Sequence, residues 1–173
     1  MGIRNYLIEG VSGAGKTSVA EELARRGHHV IHGDRTLAYY GDPETGAPLD
    51  WPPHQSEAER LDWGNAHWIW PVAEVAAIAA DRSHAMTFFC GGSRNFARFI
   101  HLFDRVFILD LDPQTLNNRL LARPADEFGG GPGERAFVLD LHASGQSIPS
   151  VGTRIDATQP LVRVVDDILT HCA

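Results

Sequence analysis

A chain of 173 residues, 43% of them hydrophobic and 21% charged, carries enough apolar material for one folding unit with its own core. Its formal net charge of −7 excludes a general nucleic-acid surface, and no apolar run approaches the ~18 residues expected of a membrane-crossing helix. Two cysteines, Cys90 and Cys172, are too few for a disulfide framework and point to a reducing cytoplasm. The opening residues, Met1 to Asn5, run straight into a strand-like segment and leave no room for a leader peptide.

In chain order the pattern alternates strand and helix, the mark of a parallel sheet wrapped by helices. Tyr6 to Ile8 is a short apolar strand ending in a glycine-rich turn. Lys16 to Arg26 has helical spacing and stops at Gly27, a natural C′ residue. His29 to His32 is a second strand, followed by a short helix over Asp34 to Tyr40. Residues 41–55, with four prolines and two glycines, read as a surface loop. Glu57 to Ala80 is mostly helical, divided or kinked at Pro71. Thr87 to Cys90 and Arg105 to Leu109 are the third and fourth strands. Asp112 and Pro113 open a helix as N-cap acid and N1 proline, running to about Ala122. Asp126 to Gly133 holds four glycines and reads as mobile, with another helix from Glu134. A fifth strand near Thr153 to Ile155 leads into a helix opened by Pro160.

Fourteen of the fifteen basic residues are arginines, and Lys16 is the only lysine. Codon bias accounts for missing surface lysines but not for the place of the exception. It stands in Gly10-Val11-Ser12-Gly13-Ala14-Gly15-Lys16-Thr17, which meets the pattern G-x-x-x-x-G-K-[ST] in full between a strand and a helix. Glycines let backbone N–H groups turn inward around phosphates, and the helix N-terminus adds partial positive charge. A compact ammonium fits between phosphate oxygens where a planar guanidinium does not. The expectation is a nucleoside triphosphate held by Gly10, Ser12, Gly13, Ala14, Gly15, Lys16, Thr17 and Ser18, with Lys16 on the β- and γ-phosphates and the Thr17 hydroxyl on Mg²⁺. Nine histidines are scattered without paired metal-ligand spacing, so no transition-metal site is expected.

Beyond this loop the chain resembles, over nearly its whole length, the nucleotide-kinase branch of P-loop proteins, particularly adenylate-kinase-like and shikimate-kinase-like small-molecule kinases. Four places carry the resemblance. His32 to Leu37 looks like the acceptor-holding segment, with Asp34 to take a proton or hold Mg²⁺ through water and Arg35 beside it; as a plain alternative, Asp34 caps the following helix. Cys90 to Asn95 matches an acceptor loop, with Gly91, Gly92 and Arg94 toward the substrate, although Cys90 stands where adenylate kinases keep an acid. Arg119 and Arg123, four apart on one helix face, stand where a lid begins, Arg119 toward the base and Arg123 toward the transferring phosphoryl; surface arginines are the bland reading. Arg135 is a weaker candidate beyond the lid. Asp156 to Pro160, including Ala157, lies where the adenine is bordered.

The resemblance implies a three-layer α/β/α P-loop NTPase fold, one domain over residues 1–173 with a five-stranded parallel sheet. It also implies an acceptor-binding insert at about 35–80 and a short lid at about 123–134. The implied activity is transfer of the γ-phosphoryl of ATP, with Mg²⁺, to a small molecule such as a nucleoside, nucleotide or antibiotic-like hydroxyl compound. Lys16, Asp34 and Arg123 are the implied catalytic residues; neither nucleic acid nor membrane is an expected partner. Cys90 in place of an acid keeps a second reading open, a nucleotide-binding regulatory or toxin-like P-loop ATPase. All four tryptophans, Trp51, Trp63, Trp68 and Trp70, lie in the insert with Arg60, Asn65 and His67. They either line an acceptor pocket, Trp68 foremost, or pack a kinked helix on the sheet.

Overall fold

Period-two alternation in the strands places their apolar side chains on two faces, and both faces are covered. In the computed structural model, which describes residues 3–53 and 56–172, the strands β1 (Arg4–Glu9), β2 (His29–His32), β5 (Met86–Cys90), β6 (Arg105–Asp110) and β7 (Thr153–Asp156) form one parallel sheet in the order β2-β5-β1-β6-β7. Met1 and Gly2, on which the leader expectation rests, lie outside the described residues, as do two residues of the 41–55 loop. Central β1 aligns Leu7 with Phe89 on one side and Val106 on the other.

Tyr6, Ile8, Phe88, Cys90, Phe107 and Leu109 point to one face. There they meet Val19, Ala20 and Leu23 of α1 (Lys16–Arg25), Leu116 and Leu120 of α5 (Pro113–Leu121), and Val164, Val165 and Ile168 of α7 (Leu161–Thr170). Leu7, Phe89, Val106 and Ile108 point to the other. They pack under Trp70, Val75 of α4 (Val72–Ala80), and Phe99 and Phe103 of two 3₁₀ turns at Phe96–Arg98 and Ile100–Leu102. Each alternate position therefore removes a large side chain from water, the main favourable term in holding the layers together.

The helix ends follow local chemistry. Gly27, at φ 86°, ends α1 in the left-handed conformation that L side chains rarely adopt. The Asp112 carboxylate accepts from the Thr115 amide at 2.8 Å, with Pro113 as the first helical residue of α5. Ser56 and Glu59 form a reciprocal capping box that starts α3 (Glu57–His67).

Three expectations change. The helix over Asp34 to Tyr40 shrinks to one turn, α2 (Gly33–Thr36), and Tyr39–Tyr40 becomes β3. It pairs antiparallel with β4 (Trp68–Ile69), which interrupts the helix expected over Glu57 to Ala80. Cross-strand contact between Tyr40 and Trp68 outweighs the weak helical preference of so short a stretch. The helix expected from Glu134 starts earlier, as α6 (Pro132–Ser144), because Pro132 is suited to the first helical turn.

Candidate functional site

The glycine-rich loop leaves the C-terminal end of β1 and enters α1, so the first amides of α1 face an open cleft rather than a preceding turn. Gly13 has φ 89°, and a Cβ there would also come within 2.9 Å of the Leu116 side chain. Lys16 Nζ donates to the carbonyls of Gly10 (2.5 Å) and Val11 (3.1 Å), folding the ammonium back over its own loop. The cleft, of about 450 Å³, is lined by Ser12 through Val19, by Arg119 and Arg123, by Ala157, and at one end by Asp34. Arg119 donates to the carbonyls of Ala14 at 3.1 Å and Ala157 at 2.6 Å, tying the loop to the corner after β7. Arg123, one helical turn on, donates to Ser12 Oγ at 2.9 Å and to the Phe128 carbonyl. The glycine-rich segment after it is a run of turns closed by Glu127 to Pro124 and Gly130 to Glu127 bonds, with Glu134 accepting from the Gly129 amide at 2.8 Å.

A second cavity, of about 520 Å³, opens on the other side of Lys16. Ser12, Lys16 and Asp34 line both. Asp34 does not occupy the N-cap of its helix, a position held by His32. Its Oδ1 accepts instead from the Gly92 amide at 2.9 Å and from Trp68 Nε1 at 3.3 Å. This fastens α2 to the loop after β5 and leaves Oδ2 without a protein partner among the described residues. Gly91 packs so closely that a Cβ there would meet Trp70 at 2.7 Å and Asp34 at 2.8 Å. Gly92 and Arg94 line the second cavity, and the Arg94 guanidinium donates to the Ser147 carbonyl. Arg35, expected beside the substrate, is exposed and lines neither cavity, because successive residues of a helix point about 100° apart. Arg135 also lines neither.

Of the four tryptophans, Trp51 and Trp68 line the second cavity. Trp63 stands behind them, 4.7 Å from Trp51 and stacked on His67 at 4.5 Å. Trp70 is fully buried and parallel to Phe99, a core residue. Arg60 and Asn65 reach the cavity. The glycine-rich segment contributes Phe128, and α6 contributes Glu134 and Phe137.

The structure adds a residue that sequence reasoning missed. Glu9, the last residue of β1, is 1% exposed. Its Oε1 accepts from the Gly10 amide at 3.1 Å and would lie 2.8 Å from a Cβ on Gly92, while Oε2 has no protein partner among the described residues. Burial pushes its carboxyl up to about 7; the positive charges of Arg94 and Lys16 and the Gly10 bond pull it back, and Asp34 adds to the rise. Arg94 is pushed down by burial and held up by Glu9 and Asp34. The available signal was an acid closing an otherwise apolar strand immediately before the first loop glycine. Cys90 is buried, and burial together with the Asp34 charge pushes its thiol up, so it remains a neutral packing group.

No family model and no curated protein matches the sequence. Solved structures do match in shape. A shikimate kinase from Bacteroides thetaiotaomicron is similar at TM-score 0.59 and 14% identity, over 99% of each chain. A sugar kinase from Janibacter sp. HTCC2649 is similar at 0.57 and 21% identity, over 98% of this chain and 94% of the other. The chain has the P-loop kinase fold. A deoxyadenosine kinase from M. mycoides, solved with dATP, shares that fold at TM-score 0.54 and 13% identity, over 97% and 98% of the two chains. At these identities the likeness establishes architecture, and the site's chemistry has to be argued from its own residues. Among the described residues of this P-loop kinase fold, no helix is long and apolar enough to cross a membrane.

Proposed function

We propose that the protein is a phosphotransferase that moves the γ-phosphoryl of ATP to a hydroxyl of a small-molecule acceptor, in the class of nucleosides and nucleotides. The observation that carries this reading is that two cavities of different chemistry, one cationic and one aromatic, meet at a wall made of Ser12, Lys16 and Asp34. A donor phosphate and an acceptor hydroxyl bound on the two sides would face each other across that wall, the arrangement proximity requires.

The roles follow from position. The loop amides and Lys16 receive the β- and γ-phosphates in place of the carbonyls that Lys16 now bonds. Arg119 stands beside Ala157 at the base end, and Arg123 stands at Ser12 near the transferring group. Asp34 Oδ2 accepts the acceptor's proton, its other oxygen being held by Gly92 and Trp68. The residues present fit Mg²⁺ bound with the nucleotide. Thr17 lines the cleft, and Asp34 is the one carboxylate in the described lining. The metal would neutralise phosphate charge there. Residues 123–134 serve as the lid and residues 35–80 as the acceptor-binding insert.

The test is ATP consumption with and without a panel of nucleosides, nucleotides, sugars and aminocyclitols. Acceptor-dependent ADP release is expected. Slow hydrolysis indifferent to every acceptor would make the regulatory or toxin-like ATPase the better description.

A further inference from the structure

Helix α3 buries none of its described residues, so packing on the sheet does not account for their choice. Glu57, Arg60 and Gly64 recur at three- and four-residue spacing, share one face, and line the second cavity. Gly64 is the residue that helix chemistry does not explain. It stands inside α3, where glycine is the poorest helix former after proline. Its φ lies outside the left-handed region that Gly13 and Gly27 occupy, so the backbone does not require glycine there either.

What requires it is room for one ring. A Cβ on Gly64 would come within 3.0 Å of Trp51 Cη2, and within 3.7 and 3.9 Å of Cζ2 and Cζ3; these are its three nearest neighbours. Trp51 arrives from the loop before α3 and lies along the same helix face. The Arg60 guanidinium, one turn before Gly64, stands 6.0 Å from the Trp51 ring centroid. Tyr40 meets the indole edge-on at 4.8 Å, and Trp63 lies tilted against it at 4.7 Å. At 43% exposure the indole is not locked in a core. Trp51 and Gly64 both line the second cavity, and neither lines the phosphate cleft.

We propose that Gly64 is a specificity-determining residue: its missing side chain is the seat on which the Trp51 indole rests, and the pair sets how large an acceptor ring the second cavity admits. This rests on the phosphotransferase reading above and adds to it the element that selects among acceptors by size. A side chain at position 64 takes room from the cavity lining and lifts the indole off α3. A two-ring purine loses more by that than a one-ring pyrimidine does.

The experiment compares the parent with Gly64→Ala and Gly64→Leu, each also in a Trp51→Phe background. Phenylalanine lacks the three indole atoms that a Cβ at position 64 would meet. Probes are adenosine, cytidine and their 5′-monophosphates. Binding is read by calorimetry with a non-hydrolysable ATP analogue present, and transfer by label from the γ-phosphoryl. The purine-to-pyrimidine ratio of kcat/KM should fall about threefold in Gly64→Ala and tenfold or more in Gly64→Leu, through KM more than kcat. In the Trp51→Phe background Gly64→Ala should move the ratio by less than about 1.5-fold. Alanine and leucine are better helix formers than glycine, so thermal unfolding should show no loss in Gly64→Ala; a glycine of structural importance alone would change Tm and leave the ratio where it was. An unchanged ratio in Gly64→Leu, or an equal fall with and without Trp51, overturns the inference and leaves the phosphotransferase standing. A ratio of affinities that shifts as expected while the parent transfers no phosphoryl upholds the seat and overturns the phosphotransferase. Failure of all four probes to bind overturns both.

Discussion

The two cavities that share Lys16 are built on opposite plans. The cleft proposed for the phosphates is made largely by consecutive residues, Ser12 to Val19, with Arg119 of α5 and Arg123 just beyond it added from the same side of the sheet. The second cavity is assembled from Asp34, the 51–68 region, Gly92 and Arg94, the turns around Phe128, and α6. A charge trap made of backbone can serve any triphosphate, because phosphate is the same in all of them. A space shaped by side chains from separate parts of the chain, aromatic ones among them, selects by outline, and this is where specificity can be altered without harming the cleft.

The sharpest way to break that division is at the shared lysine. Lys16→Ala and Lys16→Arg should both lower turnover by ~1000-fold or more while the circular dichroism spectrum is retained, since arginine cannot place its charge between two phosphates. Unchanged ATP–Mg²⁺ affinity by calorimetry in both variants would remove the phosphate assignment.

Asp34→Asn comes next, with turnover falling ~100-fold or more and ATP affinity moving by less than about threefold. Asn keeps an oxygen for Gly92 and Trp68, so the loop stays fastened. Near-normal turnover would leave Asp34 as a tether alone.

Glu9 tests what lies behind the wall. Its carboxyl, ordinarily near 4.5, is raised to about 7 by burial, so the folded protein holds the proton more tightly than the unfolded chain does. The stability this contributes is full below about pH 4.5 and is lost as pH rises through about 7. The loss is on the order of 3 kcal/mol. Denaturant titrations at pH 5 and pH 8 should show this fall in the parent and not in Glu9→Gln. Equal falls in both proteins would place the pH dependence elsewhere.

The two arginines divide the cleft more finely. Arg123→Ala should depress turnover by roughly 10- to 100-fold with little change in ATP binding, and Arg119→Ala should weaken ATP binding by about tenfold. The reverse pattern would exchange their roles. At the small end, Arg35→Ala should leave both constants within ~2-fold, as for most surface substitutions. A larger loss would mean that α2 rearranges when substrate enters.

Much of this architecture is local and was legible in the residues. Glycines at fixed spacing, a unique lysine, the Asp112–Pro113 start and the alternating apolar strands each act through their own neighbours in sequence, so their physics survives without coordinates. What required the tertiary structure depends on residues far apart in the chain. Tyr39–Tyr40 and Trp68–Ile69 look helical alone and become strands because each supplies the other's hydrogen bonds and aromatic contact. For Asp34 a helix cap stays an alternative to the acceptor role until Gly92 and Trp68 claim its oxygen, and Arg35 reads as a substrate contact until the ~100° step between successive helical residues turns it to solvent. The sequence by itself determined the sheet and the place of the glycine-rich loop between its first strand and first helix. Only the folded chain decided which tryptophans face the second cavity, and that Glu9 is buried beside Arg94. Burial and charge pairing are set by what packs around a group, and no spacing along the chain encodes that directly.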